Sequence, residues 1–153
     1  MDSKSIIELY PDFSDWVLFS KELVSNLPTD KGTYVFRTVG GNCISRVKGE
    51  SDILYIGSTV RMLGMRKRLG LFFNPSKKSS TDNRINSYLW KNQMELSYII
   101  ETQPGDIEHQ LLNQYQNEHC ELPPLNHQTK KRASYFSVAR DSFTALTRRL
   151  RNP

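Results

Sequence analysis

The sequence predicts a mixed α/β (α+β) fold, in which helices flank a small, central, mainly antiparallel sheet of three strands. Two runs rich in β-branched and aromatic residues, KGTYVFRTV over 31–39 and DILYIGST over 52–59, are typical of short strands. A third strand is expected over 94–101, in the run MELSYIIE. Stretches with apolar residues at helical spacing separate these runs, so we expect helices to cover the sheet.

Length and composition favour a single domain over residues 1–153, with no membrane partner. Hydrophobic residues make up 37% of the chain and charged residues 24%, as in ordinary globular domains. No apolar run approaches the ~20 residues of a membrane span. The net charge of +5 and the pI of about 9.3 suit a polyanionic partner.

The two cysteines indicate the compartment. Cys43 and Cys120 show neither metal-ligand spacing nor a disulfide framework, which favours the reducing cytoplasm. We expect both to be small buried side chains.

Residues 1–30 are expected to form a helical lead-in that packs against the sheet. Apolar residues recur between residues 6 and 27, and Pro11 interrupts the first part of this pattern. Ser14 or Asp15 would cap a helix from about Trp16 to Asn26.

The alternation of side chains along a strand predicts which residues share a face. Tyr34 and Phe36 should share one face of the first strand, and Leu54 and Ile56 one face of the second. Tyr55 would then point away from its two apolar neighbours, towards a surface or cleft.

A helix carrying several arginines is expected after the second strand, capped by Ser58 or Thr59. Its buried stripe would comprise Met62, Met65, Leu69, Phe72 and Phe73. A helical wheel places Arg66 nearer this stripe than Arg68. A polar loop over 74–81 should follow, and Thr81 or Asp82 would cap the next helix.

The helix that begins near Asp106 carries a carboxylate on its apolar face. Glu108 falls in the middle of the stripe formed by Ile107, Leu111, Leu112, Tyr115 and His119. A carboxylate aimed at a core is costly unless it is paired or bound to a metal ion. The sequence therefore predicts a partner for Glu108: a metal ion, Arg68, or the first turn of its own helix.

Gly32-Thr33-Tyr34 and Tyr55-Ile56-Gly57, on neighbouring strands, resemble the two defining elements of the GIY-YIG nuclease superfamily. Lys67-Arg68-Leu69 with Phe72-Phe73 is similar to the context of the family's essential arginine. By the same resemblance, Glu108 matches the metal-binding glutamate and Asn126 the asparagine that stabilises the site. Read without the family, Asn126 is a turn residue.

The resemblance covers residues 31–127, a nuclease core between the lead-in and a C-terminal extension with a helix over 128–153. It implies a freestanding, restriction-type or phage-type endonuclease that cleaves DNA with Mg²⁺ or Mn²⁺. The chain leaves no room for the separate DNA-binding domain of homing-type relatives. Cutting both strands would require a homo-oligomer.

Each site residue has an expected role in phosphodiester hydrolysis. Arg68 would grip phosphate oxygens, and Glu108 would hold the metal ion. Tyr34 is the candidate general base, and Tyr55 would position the water or the phosphate. Asn126 would support this framework.

Basic residues around this core are expected to contact the DNA backbone, although Lys77 and Lys78 also suit a solvated loop and the run 130–132 a solvated tail. The set comprises Arg61, Arg66, Lys67, Lys77, Lys78, Lys130, Lys131 and Arg132.

Phe72 departs from the family pattern, because many relatives have a proton-transferring His or Tyr at this position. This departure keeps a second hypothesis open, a nucleic-acid-binding module that has lost catalysis. A third is a metal-free domain in which Glu108 is ion-paired. The three histidines show no ligand spacing, and we expect them at the surface or at helix ends; they are His109, His119 and His127.

Overall fold

The computed structural model describes residues 1–59, 64–76 and 79–127, and it confirms the mixed α+β class. The strands of these ranges are β1 (Val17–Leu18), β2 (Gly32–Thr38), β3 (Ile44–Ser45), β4 (Glu50–Ser51), β5 (Ile53–Ser58) and β6 (Met94–Ile100). The helices are α1 (Ser3–Leu9), α2 (Lys21–Asn26), α3 (Met65–Gly70), α4 (Ser80–Leu89) and α5 (Pro104–His119). The predicted extension over 128–153 lies outside the described residues.

The central sheet has four antiparallel strands in the order β1-β6-β2-β5, where the sequence predicted three. The three predicted strands are β2, β5 and β6, and β2 lies between the other two. The run 43–49, between the two tyrosine strands, contributes β3 to a separate hairpin with β4.

The fourth strand replaces part of the predicted helix over 16–26. Val17 and Leu18 pair with Leu96 and Glu95 at the open edge of β6. Helix α2 begins only at Lys21, where the Ser20 hydroxyl accepts a hydrogen bond from the Leu23 N–H at 3.1 Å. The predicted caps Ser14 and Asp15 are therefore wrong, because the backbone at residues 17–18 finds its partners in the sheet.

Helices cover both faces of the sheet. On the first face Leu27, Met65, Leu69 and Ile85 pack with the aromatic side chains of β2 and β5. On the second face α1 and α5 place Ile6, Leu111, Leu112 and Tyr115 against Val35 and Ile56. The first face is called the α3 layer below, and the second the α5 layer.

A β-bulge changes the predicted facing of β5. Tyr55 lies opposite Phe36 and Ile53 opposite Arg37, so Leu54 is the extra residue. Leu54 packs in the α3 layer and Ile56 in the α5 layer. The prediction that these two residues share a face is therefore wrong, because the bulge breaks the alternation.

Two helix starts also differ from the prediction. Thr59 Oγ1 accepts a hydrogen bond from the Gly32 N–H at 2.8 Å, and α3 begins at Met65. A Cβ on Gly64 would lie 1.5 Å from the Thr29 carbonyl oxygen, so this close approach requires glycine. Helix α4 is capped by Ser79, which leaves the side chain of Asp82 available for another contact.

The surroundings of the cysteines contradict the expected burial. Cys43 and Cys120 are free and exposed. Cys120 ends α5 in the left-handed conformation, with φ of 60°. In the three ranges that the structure covers, no helix combines the length and the apolar character needed to cross a membrane.

Candidate active site

Tyr34 and Tyr55 form a stacked pair on the α3 face of the sheet. Tyr34 lies opposite Gly57 and Tyr55 opposite Phe36 in the antiparallel register, so the two tyrosines are diagonal neighbours. Their ring centroids are 6.0 Å apart, with an angle of 30° between the planes. Tyr55 is only 7% exposed and packs in the same layer as Leu54, so the expectation that it points away from both apolar neighbours is wrong.

The glycine of Tyr55-Ile56-Gly57 makes room for this pair. A Cβ on Gly57 would lie 2.5 Å from Tyr55 Cε1 and 2.9 Å from Tyr34 Oη. Any larger residue would displace one of the two rings. Gly57 is therefore required by side-chain packing rather than by its own backbone conformation.

Burial keeps both tyrosines neutral. Tyr34 is fully buried, and its hydroxyl lies close to Tyr55 but makes no well-formed hydrogen bond with a described residue. Burial and the neighbouring Tyr55 raise the pKa of Tyr34 well above its usual value. Burial also raises the pKa of Tyr55, although the charge of Arg68 opposes this shift. Tyr34 would therefore act as a general base only if further positive charge lay beside it.

Helix α3 brings Arg68 to the tyrosine pair. Arg68 Nη1 donates to Asp82 Oδ1 at 2.7 Å, and its guanidinium carbon lies 4.6 Å from the centroid of the Phe72 ring. Burial opposes the charge of Arg68, but Tyr34, Asp82 and Tyr55 outweigh it and raise the pKa of the guanidinium. Arg68 is therefore a permanent cation beside two neutral phenols.

Arg66 is more exposed than Arg68, so the helical wheel was wrong to place Arg66 nearer the buried stripe. Its Nε donates to the Leu27 carbonyl oxygen at 2.8 Å, and the residue is exposed, as is Lys67. The wheel assumed a helix continuous from Thr59, whereas α3 starts at Met65. The motif context, which favoured Arg68, agrees with the observed geometry.

Helix α5 supplies the carboxylate from the other layer. Glu108 lies on the buried stripe of α5, as the sequence predicts, and is 5% exposed. Ser58, at the end of β5, donates a short hydrogen bond to Glu108 Oε2. The charge of Glu108 raises the pKa of both Tyr34 and Tyr55, so the carboxylate acts electrostatically on the pair.

Ser58 and Asp82 are site residues that the sequence reasoning missed, because it considered both as helix caps. For Ser58 a signal was present. On β5 it alternates with Gly57, so it faces the α5 layer from which Glu108 comes. For Asp82 no local signal marks Arg68 as its partner.

Asn126 holds the edge strand that carries Tyr55. Its Oδ1 accepts from the Ile56 N–H at 3.0 Å, and its Nδ2 donates to the Ile56 carbonyl oxygen at 2.8 Å. The Leu125 N–H donates to the Leu54 carbonyl oxygen at 2.9 Å, one pairing further along. These three hydrogen bonds satisfy backbone groups on the outer edge of β5, as a further strand would. At Ile56 the Asn126 side chain makes two of them.

Phe72 packs against the tyrosine pair, and the three histidines differ in burial. Phe72 is fully buried and lies edge-on to Tyr34 and Tyr55, with ring centroids 6.2 and 6.3 Å away. His119 lies at the end of α5 as expected but is buried, with Nδ1 2.8 Å from the Lys48 carbonyl oxygen. His109 is half-buried and His127 exposed.

The donor set fits a magnesium ion that keeps most of its water. In the described part of the chain no three His, Cys, Asp or Glu side chains group to hold a metal ion. Glu108 is the carboxylate that would hold the ion, and the Ser58 hydroxyl bonds its Oε2. Mg²⁺ and Mn²⁺ accept one carboxylate plus waters, whereas Zn²⁺ and Ca²⁺ need more protein ligands.

Six of the predicted DNA-contacting residues fall outside the described ranges, namely Arg61, Lys77, Lys78, Lys130, Lys131 and Arg132. Comparison of the chain with protein-family models, with curated proteins and with solved structures finds no match. What the fold and the site define is an α+β protein with a buried tyrosine pair whose pKa values are shifted by the charges of Arg68 and Glu108.

Proposed function

We propose that this protein is a divalent-metal-dependent endonuclease that hydrolyses DNA phosphodiester bonds, with a site similar to that of the GIY-YIG superfamily. The observation that carries the proposal is the convergence of Arg68 and Glu108 on one tyrosine pair. These residues come from two helices on opposite layers, and the pKa values of both tyrosines respond to both charges. Charged side chains are rarely buried, so a cation and an anion that act on the same two phenols are unusual in a hydrophobic core.

Charge neutralisation at the phosphate is the main requirement of the reaction. Arg68 keeps its charge at any working pH, and its planar fork matches phosphate oxygens. Glu108, oriented by Ser58, would hold the metal ion. When bound, the ion supplies Lewis-acid stabilisation of the phosphate and of the leaving oxygen.

The tyrosines orient the reacting groups. Tyr34 is neutral and fully buried, so it would donate to a phosphate oxygen or to the attacking water only after substrate binding exposed its hydroxyl. Proton abstraction by Tyr34 would require the bound cation to lower its pKa. Tyr55 stacks on Tyr34 and fixes that hydroxyl in place.

A plasmid assay tests the proposal. Supercoiled DNA incubated with the protein should be nicked or linearised with Mg²⁺ or Mn²⁺, and left intact with EDTA. Glu108→Gln should remove cleavage, because the amide cannot hold the ion, while the near-isosteric side chain preserves the fold. Metal-dependent cleavage by a folded Glu108→Gln protein would contradict the assignment of Glu108 as metal ligand.

A nucleic-acid-binding module without catalysis is the second candidate. It is favoured by the full burial and raised pKa of Tyr34, and by Phe72, which can transfer no proton. In the same assay this candidate predicts a gel shift of DNA without strand breakage at any metal concentration.

Two further features belong to the proposal. Double-strand cleavage needs two sites, so we propose that the active form on duplex DNA is a homo-oligomer. We propose a cytoplasmic location, because two exposed free thiols suit a reducing compartment.

A further inference from the structure

We infer that Asp82 is the positioning residue of Arg68, and this inference rests on the proposed function. Asp82 is one of the most buried carboxylates of the described residues, at 4% exposed. Its Oδ1 accepts from Arg68 Nη1 at 2.7 Å. A buried carboxylate needs a partner, and this one has the cation that stands beside the tyrosine pair.

The Asp82 side chain does not make the backbone contact that is usual for an acidic residue at its place in a helix. Asp82 is the third residue of α4, after the cap Ser79. An acidic residue at this place commonly accepts from the backbone N–H of the cap. Here the Ser79 N–H donates to the Ser76 carbonyl oxygen at 3.0 Å instead. The Asp82 carboxylate is therefore not needed to cap α4, and it accepts a hydrogen bond from Arg68 instead.

The same face of α4 fixes the rest of the arginine's surroundings. Asn86, one turn after Asp82, donates from Nδ2 to the Phe72 carbonyl oxygen at 2.8 Å. Ile85 between them is fully buried in the α3 layer. Arg68 is thus held between the Phe72 ring and the Asp82 carboxylate, both of which are anchored to α4.

This arrangement leaves the guanidinium able to act. A guanidinium has several N–H donors, and the contact with Asp82 uses one of them on Nη1. The remaining donors are available to Tyr55 and to a phosphate. Asp82 therefore fixes the orientation of the guanidinium and leaves other N–H donors for the phosphate. Arg68 would then meet the phosphate in one orientation.

The kinetic test compares Asp82→Asn with a matched control. Asp82→Asn should lower kcat for DNA cleavage about 10- to 100-fold with little change in KM, because the guanidinium remains but loses its fixed direction. Glu95→Gln is the control, because it removes the charge of Glu95 from a comparable ion pair, 2.7 Å long, with Arg37. Arg37 lies on the α5 side of β2. The Glu95→Gln variant should leave kcat unchanged. Equal loss of kcat in both variants would overturn the inference.

A double variant separates positioning from general stability. In an Arg68→Ala background, Asp82→Asn should produce no further loss, because Asp82 acts through Arg68. An additive loss would overturn the inference. If Asp82→Asn fails to melt cooperatively, Asp82→Glu keeps the charge and moves it by one methylene, and should show an intermediate kcat.

A spectroscopic readout keeps the inference distinct from the proposed function. The Nη protons of Arg68 should give separate NMR signals in the wild-type protein, because the carboxylate slows rotation of the guanidinium. In Asp82→Asn these signals should merge. If the wild-type protein cleaves no DNA yet shows this dependence, the proposed function fails while the placement of Arg68 by Asp82 stands. Signals that are unaffected by Asp82→Asn overturn the inference even in an active enzyme.

Discussion

At the scale of single residues, the site is defined by what each charged or phenolic group contacts. Arg66 and Arg68 are two positions apart on one helix, yet one bonds a loop carbonyl and the other a buried carboxylate. Tyr34 is fully buried, and its hydroxyl makes no well-formed hydrogen bond within the described part of the chain. Such a hydroxyl costs stability unless a ligand uses it.

The first prediction separates the two arginines. Arg68→Ala should lower the single-turnover cleavage rate about 100-fold or more, the scale of a lost transition-state donor. Arg68→Lys should recover only part of this, because an ammonium keeps the charge but not the fork. Arg66→Ala should leave the rate at saturating DNA near that of the wild type. An inactive Arg66→Ala protein beside an active Arg68→Ala protein would reverse the assignment.

The second prediction concerns Tyr34→Phe. Removal of this poorly hydrogen-bonded buried hydroxyl should not lower the free energy of unfolding, while cleavage is lost. Urea denaturation and the plasmid assay measure the two effects. Tyr115→Phe, buried in the α5 layer, is the control and should leave cleavage intact. Retained cleavage together with lower stability would assign Tyr34 to packing.

The raised pKa of Tyr34 adds a pH dependence to this comparison. Above a pH of about 10 the unfolded chain ionises this tyrosine, whereas the folded protein keeps it neutral. The unfolded state then binds fewer protons, so stability falls as the pH rises through that range. The fall should be less steep in Tyr34→Phe, and an identical slope in both proteins would contradict the pKa shift.

At the scale of elements, the edge strand β5 depends on a segment that is not a strand. The Pro123–Asn126 region supplies hydrogen bonds at Leu54 and Ile56, on either side of Tyr55. An unpaired edge would leave these backbone groups without partners and free to pair elsewhere. The hydrogen bonds of Asn126 therefore connect it to the strand that carries Tyr55.

The third prediction tests this role of Asn126. Asn126→Ala removes both hydrogen bonds to Ile56 and should cost about 1–3 kcal/mol of stability. Amide hydrogen exchange at Ile56 should accelerate, and cleavage should fall with it. Asn92→Ala is the control, because the Asn92 side chain bonds only the nearby Tyr88 carbonyl oxygen among the described residues. Unchanged exchange at Ile56 in Asn126→Ala would contradict this account.

At the scale of the whole molecule, net charge would govern the proposed encounter with DNA. The chain carries +5 in total, and Arg66 and Lys67 are exposed on the helix that brings Arg68 to the site. Counterion release makes the affinity for DNA fall with salt, by a slope of about 0.9 per phosphate contact on a log–log plot.

The fourth prediction concerns Lys77 and Lys78, which stay predicted DNA contacts. Their joint replacement by Ala should flatten the salt dependence of DNA binding by about one to two slope units. Lys4 and Lys48, exposed on α1 and on the β3–β4 loop, provide a control with the same change of charge. Equal slopes for the two double variants would assign Lys77 and Lys78 to a solvated loop.

Local periodicity explains what the sequence by itself determined. The strands β2, β5 and β6 follow from runs of β-branched and aromatic residues, and the inward position of Glu108 follows from the helical period of α5. Both are properties of a few neighbouring residues. The GIY-YIG-like motifs singled out Tyr34, Tyr55 and Arg68, and the fold brings these three residues close together.

Contacts between distant segments were decided only by the tertiary structure. Val17 and Leu18 became a strand because the edge of β6 was open to them, which overrode their helical pattern. The bulge at Leu54 altered the facing of β5. The bonds of Arg68 to Asp82 and of Asn126 to Ile56 join segments that have no local signal for each other. Local sequence sets the preferences of an element, but the partners of its edges and of its buried charges are set by whichever segment folding brings alongside.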